Sequence, residues 1–478
     1  MTMTRIRVVS AAPPPPSASA ASADPDSNSD NSNKNIISSS YVADTFDRHN
    51  RPRTRRNIIL TALQQKYSQI ATFCTIATSS PPSSCDTDLI NLYSSVHDVK
   101  MIKFLVSAWS NWMAMGPNWD KDNCHPEWSY SENNGETPPL VPIHSAFRRD
   151  HNERPSTNVM GAIGYYCTDF ITPIVGNLVN ELIEDANIIC TAVRLAFRDD
   201  DNNNDADNNE DAEGGDKKGK TAVVAYAVTT HPGHHASYDC FGGYCYLNNA
   251  ALCARLMQHR INTGKSINID NIIDGESIRQ YWESTTGNVD KMDLQQQPPS
   301  CRVAILDVDY HVGNGTASIF YHDPHVFVIS IHCDPEIDYP WNSGFADQIG
   351  ACAGVGKTLH IPLQQGASWE GDGKEGGAYK VALDKAMSAI VQFDPHALVV
   401  SLGLDTYDGD NVAVNRGGFK LKGTDYYEMG KFMGKFMKGR NVPCVFVQEG
   451  GYKMDVVGDA AADVVGGYAV GVEDGATV

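Results

Sequence analysis

The sequence has no Cys-x-x-Cys pair, no internal repeat, and no apolar run near the eighteen or so residues that a membrane-spanning helix needs. Positive charge is scarce as well: 38 Lys and Arg stand against 58 Asp and Glu, a net charge of −20 and a pI near 5.1. Each shortage excludes something. Without Cys-x-x-Cys pairs, the 12 cysteines, several inside apolar segments (Cys190, Cys245, Cys253, Cys444), read as reduced thiols of an intracellular protein rather than a disulfide framework. The lack of a long apolar run predicts no transmembrane helix. The shortage of positive charge argues against direct nucleic-acid binding and mildly favours a cationic substrate or partner.

What is present falls into blocks. Residues 1–40 are rich in Pro, Ser, Ala and Asn and read as a disordered tail. Arg5, Arg7 and the lack of an acid before Asp24 also suit an organelle presequence, mitochondrial or plastid, beside a cytoplasmic or nuclear location. Folding is expected to begin near Tyr41, with helices over Arg53–Tyr67, Val99–Trp112 and Leu178–Phe197. Two polar stretches near 199–220 and 261–301 read as insertions. The first mimics the oxygen-ligand spacing of a calcium loop, but Asn204 stands where the sharp turn needs Gly, and no exit helix follows. Beyond residue 220, strand-like runs (Thr221–Val228, Arg302–Asp309, Val326–Ile331, Ala397–Leu404, Val442–Val447) alternate with helical ones. That pattern predicts an α/β fold with a mainly parallel central sheet and helices on both faces.

The strands end in chemistry. Residues 303–306 are apolar, and then Asp307, Asp309 and His311 follow at alternate positions, which one face of a continuing strand would share. After the other strands come His231, His234 and His235; Asp405; and Gln448 to Tyr452. Adjacent histidines alone fit a site or a surface loop equally. Polar clusters at several strand ends are what a ligand site on the carboxyl edge of a parallel sheet looks like. Asp309, His311 and Asp405 would supply two oxygens and a nitrogen to a catalytic Zn2+ with an open position. His234 and His235 titrate in the range for proton transfer, and Tyr452 could donate to a developing oxyanion. Together they describe metal-assisted amide hydrolysis.

The strings HPGHH (231–235), FGGYCYLNNAA (241–251), ILDVDYHVGNGT (305–316), SLGLDT (401–406) and QEGGY (448–452) resemble the motifs of the zinc-dependent histone deacetylase superfamily, nearest its acetylpolyamine amidohydrolase and class II-like branch. The resemblance runs from about Arg51 to the C-terminus, insertions excepted, and implies an arginase/deacetylase-like three-layer fold over 41–478. It implies release of acetate from acetyl-lysine of proteins or from acetylated polyamines. It assigns the metal to Asp309, His311 and Asp405, proton transfer to His234 and His235, and carbonyl polarisation to Tyr452. Asp307 and Asn314 become the partners of the two histidines, Tyr244 and Tyr339 the channel walls. A structural K+ beside the 307–311 backbone and Ser330 is a further implication; separately, the long loops 116–159 and 261–301 could narrow the entrance or build a homo-oligomer contact. Val312 departs from the second His that many relatives carry. The competing reading is a catalytically weak acetyl-lysine-binding scaffold of the same fold. A manganese ureohydrolase would need carboxylates where His234 and Tyr452 stand.

Overall fold

The computed structural model describes residues 5–11, 38–69, 71–76, 85–115, 139–142, 146–149, 152–197, 223–267, 301–371, 379–413 and 417–473. Its centre is an eight-stranded sheet, ordered β2-β1-β3-β8-β7-β4-β5-β6, with every neighbouring pair parallel. The strands are β1 (Arg5–Ala11), β2 (Ala71–Ile76), β3 (Val223–Ala227), β4 (Val303–Asp307), β5 (Val326–Cys333), β6 (Thr358–Leu363), β7 (Ala397–Leu402) and β8 (Cys444–Gln448). Strands β4, β5, β7 and β8 are buried along their whole length, which is why they read as largely apolar runs.

The pleat sorts these runs into two cores. Val303, Ile305, Val399 and Val445 face one side, against α2 (Cys85–Tyr93), α3 (Val99–Ala114), α4 (Val159–Tyr166), α5 (Leu178–Ala196) and α6 (Asn249–Thr263). Ala304, Leu306, Leu398, Val400 and Phe446 face the other. There they meet α1 (Ser38–Tyr67), α8 (Tyr379–Phe393), α9 (Gly423–Met437) and α10 (Val457–Glu473). A short helix, α7 (Asn314–Ile319), follows β4. Local signals set several helix ends: Asp98 accepts from the Lys100 N–H at 2.6 Å to start α3, Asn248 from Ala251 at 2.9 Å to start α6, and Gly264 in the left-handed region closes α6.

Three expectations are corrected. Residues 5–11 are not tail: they form β1, an interior strand between β2 and β3, so the first strand precedes Tyr41. Ile6 and Val9 are fully buried on opposite faces, a pattern that the Pro-rich composition around it masked. β4 ends at Asp307, so Asp309 and His311 belong to a loop rather than a strand face. The second polar stretch begins later than 261, because α6 runs on to Thr263; its residues 268–300, the 199–220 stretch and residues 12–37 lie outside the described residues. Strands β2 and β6 and helices α2 and α4 had no counterpart in the sequence reading.

Candidate active site

All the chemistry-bearing loops emerge at the carboxyl ends of β3, β4, β7 and β8, which are contiguous in the sheet. Metal-ligating atoms of Asp309, His311 and Asp405 lie within 4.8 Å of one another. Backbone amides aim them. The Gly450 N–H donates to Asp309 Oδ2 at 2.9 Å, the His311 N–H to Asp309 Oδ1 at 2.8 Å, and the Tyr310 N–H to Asp405 Oδ1 at 2.9 Å. Asp307 Oδ1 accepts from the Asp309 N–H at 3.0 Å, which folds the loop back after β4. His311 Nδ1 stands 3.1 Å from Asp405 Oδ2 and 3.4 Å from Asp309 Oδ1. Two glycines clear the space: a Cβ on Gly403 would overlap the Asp309 carboxylate, and one on Gly450 would come within 2.7 Å of both carboxylates.

This donor set fits a cation. Two carboxylates buried side by side repel, and burial together with the Asp309 charge pushes Asp405 up to about 7. Two oxygens and an imidazole nitrogen within 4.8 Å of one another, with a cavity beside them, could hold a metal ion through three ligands and leave a position open.

The adjacent histidines are both buried, yet their environments oppose each other. His234 Nδ1 pairs with Asp307 Oδ2 at 2.9 Å, and its Nε2 lies 3.8 Å from Asp309 Oδ1. Burial disfavours its charge, but the Asp309 and Asp307 carboxylates outweigh burial and hold it well above its ordinary pKa. His235 Nδ1 faces Asn314 Oδ1 at 2.7 Å. An amide oxygen only accepts, so Nδ1 carries the proton and Nε2 keeps its lone pair. Burial, then the nearby His234 and His311 charges, hold His235 well below its ordinary pKa.

A cavity of about 260 Å³ opens over these groups, with Tyr244, Tyr339, Ile171, Trp341, Val412 and Tyr452 in its walls. The Tyr339 ring meets His235 edge-on at 4.9 Å, and Tyr244 lies 5.8 Å from Tyr452. Tyr244 adopts a left-handed φ of 66° behind Gly243, whose missing side chain leaves room for the His235 ring. Burial raises the Tyr452 phenol well above 10, so it stays a hydrogen-bond donor.

The structure therefore brings Asp309, His311, Asp405, His234, His235, Tyr452, Tyr244 and Tyr339 around one cavity, with Asp307 and Asn314 behind the two histidines, whereas His231 turns away to Glu181. Other residues around it were given no role in the sequence reading. Glu449 is fully buried and accepts from the Gly233 N–H at 2.6 Å and the His234 N–H at 3.1 Å, while Ser401 donates to its other oxygen at 3.2 Å. Burial pushes it up to about 7. Glu181 holds His231 Nε2 at 2.7 Å, and Asp185 accepts from the Thr230 and His231 amides at 2.6 and 3.0 Å. A signal existed for this pair: two acids one helical turn apart, embedded in an apolar helix face. Val312 is buried and packs near Gly344 and the His332 ring.

The family profile of the histone deacetylase domain matches residues 49–271 and 289–468, more than half of the chain. This chain belongs to the histone deacetylase family. Among relatives, acetylpolyamine amidohydrolase 1 of Pseudomonas aeruginosa is 31% identical over 78% of this chain and 81% of its own length. Histone deacetylase clr3 of Schizosaccharomyces pombe is 31% identical over 55% of this chain and 33% of its own. The crystal structure of an acetylpolyamine aminohydrolase from Burkholderia pseudomallei shares the fold, with a TM-score of 0.58 over 87% of this chain and 90% of that one, at 24% identity. Family membership places the chain among hydrolytic deacetylases, and its arginase/deacetylase-like architecture is that of the structural neighbour. No described helix is long and apolar enough to cross a membrane.

Proposed function

We propose that the chain hydrolyses N-acetyl amides with one Zn2+ held by Asp309, His311 and Asp405, releasing acetate and a free amine. The convergence of those three ligands beneath the cavity, flanked by two histidines of opposite protonation and a phenol, carries the reading. When bound, zinc supplies Lewis acidity, polarising the acetyl carbonyl and making a water nucleophilic near neutral pH. The residues supply the rest. His235 Nε2, unprotonated because Nδ1–H is committed to Asn314, takes a proton from the attacking water. His234, kept protonated by Asp307, offers Nε2–H to the departing amine. The Tyr452 hydroxyl donates to the carbonyl oxygen as negative charge builds there. The Tyr244 and Tyr339 rings flank the acyl-amine chain and exclude water. A structural K+ belongs beside Ser330, which pairs in register with Asp307.

For the substrate, we propose acetylated polyamines over acetyl-lysine proteins. Support comes from the length of the match: the acetylpolyamine amidohydrolase aligns over 78% of this chain, against 55% for the yeast histone deacetylase. The acidic balance suits a cationic amine equally in both classes.

The test is acetate release by the zinc-loaded chain from acetylated spermidine or putrescine and from acetyl-lysine peptides, beside a chelated control and Tyr452→Phe. Expected are turnover of the polyamines, its loss on chelation, and a drop of about 100-fold in kcat for the Phe variant. Preferred cleavage of peptides would move the substrate assignment to acetyl-lysine. Stoichiometric zinc without cleavage of either class would favour the scaffold reading.

A further inference from the structure

The turn that carries Tyr452 is built from residues with no side chain to anchor it. Gly450 must lack a Cβ to reach the two metal-site carboxylates, and Gly451 has φ of 119°, so nothing intrinsic to the turn restrains the phenol. Two buried polar side chains grip it from outside. On the far side, Asp410 Oδ2 accepts from the Tyr452 N–H at 2.6 Å and the Lys453 N–H at 3.0 Å, while its Oδ1 takes the Val412 N–H at 2.9 Å. Its neighbour Asn411 donates Nδ2–H to the Tyr452 carbonyl at 3.0 Å. On the near side, Gln448 Nε2 donates to the carbonyls of Glu449 at 3.0 Å and Gly450 at 2.8 Å. The Tyr226 hydroxyl of β3 donates to Gln448 Oε1 and holds the amide in that orientation. Asp410, Tyr226 and Gln448 are at most 1% exposed.

We infer that Asp410 and the Gln448–Tyr226 pair are positioning residues that clamp the Tyr452 turn and place its phenol over the cavity. This rests on the proposed role of Tyr452 and deepens it. The clamp is made of amide and carbonyl hydrogen bonds to the turn's backbone, so it acts on where the phenol sits rather than on what it is. A displacement of about 1 Å at a reacting group can cost on the order of 100-fold in rate. Loosening the clamp should therefore lower kcat while KM and bound zinc stay put.

Two variants test it, chosen to act from opposite sides: Asp410→Asn, which sets an amide N–H against donors, and Gln448→Met with Tyr226→Phe, which removes the near clamp without orphaning a hydroxyl. Amide hydrogen exchange is read first, since it does not depend on activity. The Tyr452 and Lys453 amides should be protected in the wild type and exchange at least about tenfold faster in Asp410→Asn, whatever the enzyme cleaves. Acetate release then gives a double-mutant cycle with Tyr452→Phe. Each clamp variant should lose about tenfold or more in kcat with KM within about twofold, and should lose almost nothing further once the phenol is gone. Losses that multiply with Tyr452→Phe, or variants with unchanged exchange and unchanged kcat, would overturn the clamp. An inactive wild type with the exchange result intact would sink the role of Tyr452 and leave the clamp on the turn standing. If Asp410→Asn does not fold, the near-side variant decides by the same cycle.

Discussion

Backbone approaches very closely in two regions of this molecule, for opposite reasons. Helices α9 and α10 cross with Gly430 and Gly434 against the backbone of residues 464–472, and Gly467 and Gly471 against residues 427–434. A Cβ at any of these would overlap a main-chain atom of the partner helix. At the carboxyl edge of the sheet, Gly403 and Gly450 let backbone press instead against the Asp309 and Asp405 carboxylates. The helix pair is apolar, and its closeness adds dispersion contacts and stability. The carboxyl edge gathers like charges out of water, which costs stability and creates a cation site. One rule of sequence, a glycine where there is no room, thus serves packing in one place and chemistry in the other.

Substitutions should separate the two. The largest effect belongs to Asp405→Ala, which removes a ligand: bound zinc should be lost and acetate release fall by at least about 1,000-fold, read by metal analysis and kinetics. The metal-free variant should be no less stable than the metal-free wild type in urea unfolding, because a repelled buried carboxyl has gone. A clear loss of stability there would break the contrast. Gly434→Ala should do the reverse, costing about 1–3 kcal/mol of stability through overpacking while the kcat of the folded fraction is unchanged.

Smaller tests use pH. Burial lowers His97 and His332 to about 4 and His360 to about 3, so each is neutral in the folded chain. Their folded values lie below the unfolded one near 6.5, so the unfolded chain binds more protons as pH drops. Their stability contribution is therefore complete above pH 6.5 and declines from there toward pH 4, by up to about 1.4 kcal/mol per pH unit for each histidine. Urea unfolding at pH 7 and pH 5 reads it, and His97→Gln should flatten the slope. The smallest effect is that of Asn314→Asp. A carboxylate on Nδ1 would favour protonated His235, so the acid limb of the kcat/KM profile should move up by about one pH unit. An unmoved limb would remove His235 as the base.

The legibility of the sequence varied with distance along the chain. Apolar runs such as 303–306 and 397–400 announced parallel strands because both faces are covered, and helices α3, α5 and α8 showed in their apolar patterning. β1 was illegible, since seven residues ending at Ala11 run straight into a Pro- and Ser-rich stretch, and only the sheet shows them to be interior. Asp309 and His311 were legible as candidate ligands, but for a reason that did not hold: the alternation of one strand face ends at Asp307, and backbone hydrogen bonds in a loop turn them inward. Glu449 was legible only as a neighbour of Tyr452, because its partners lie about 216 residues earlier.

The sequence by itself determined the class of fold, the family and the kinds of side chain available for catalysis, because each is written in short local strings whose chemistry does not depend on the rest of the chain. Tertiary structure alone decided which strings meet, that β1 completes the sheet, and that two adjacent histidines are shifted in opposite directions from their ordinary pKa. Those properties arise from burial and from charges brought close by folding, as where His311 lies 3.1 Å from Asp405 across 94 residues, and no local string encodes a distance of that kind.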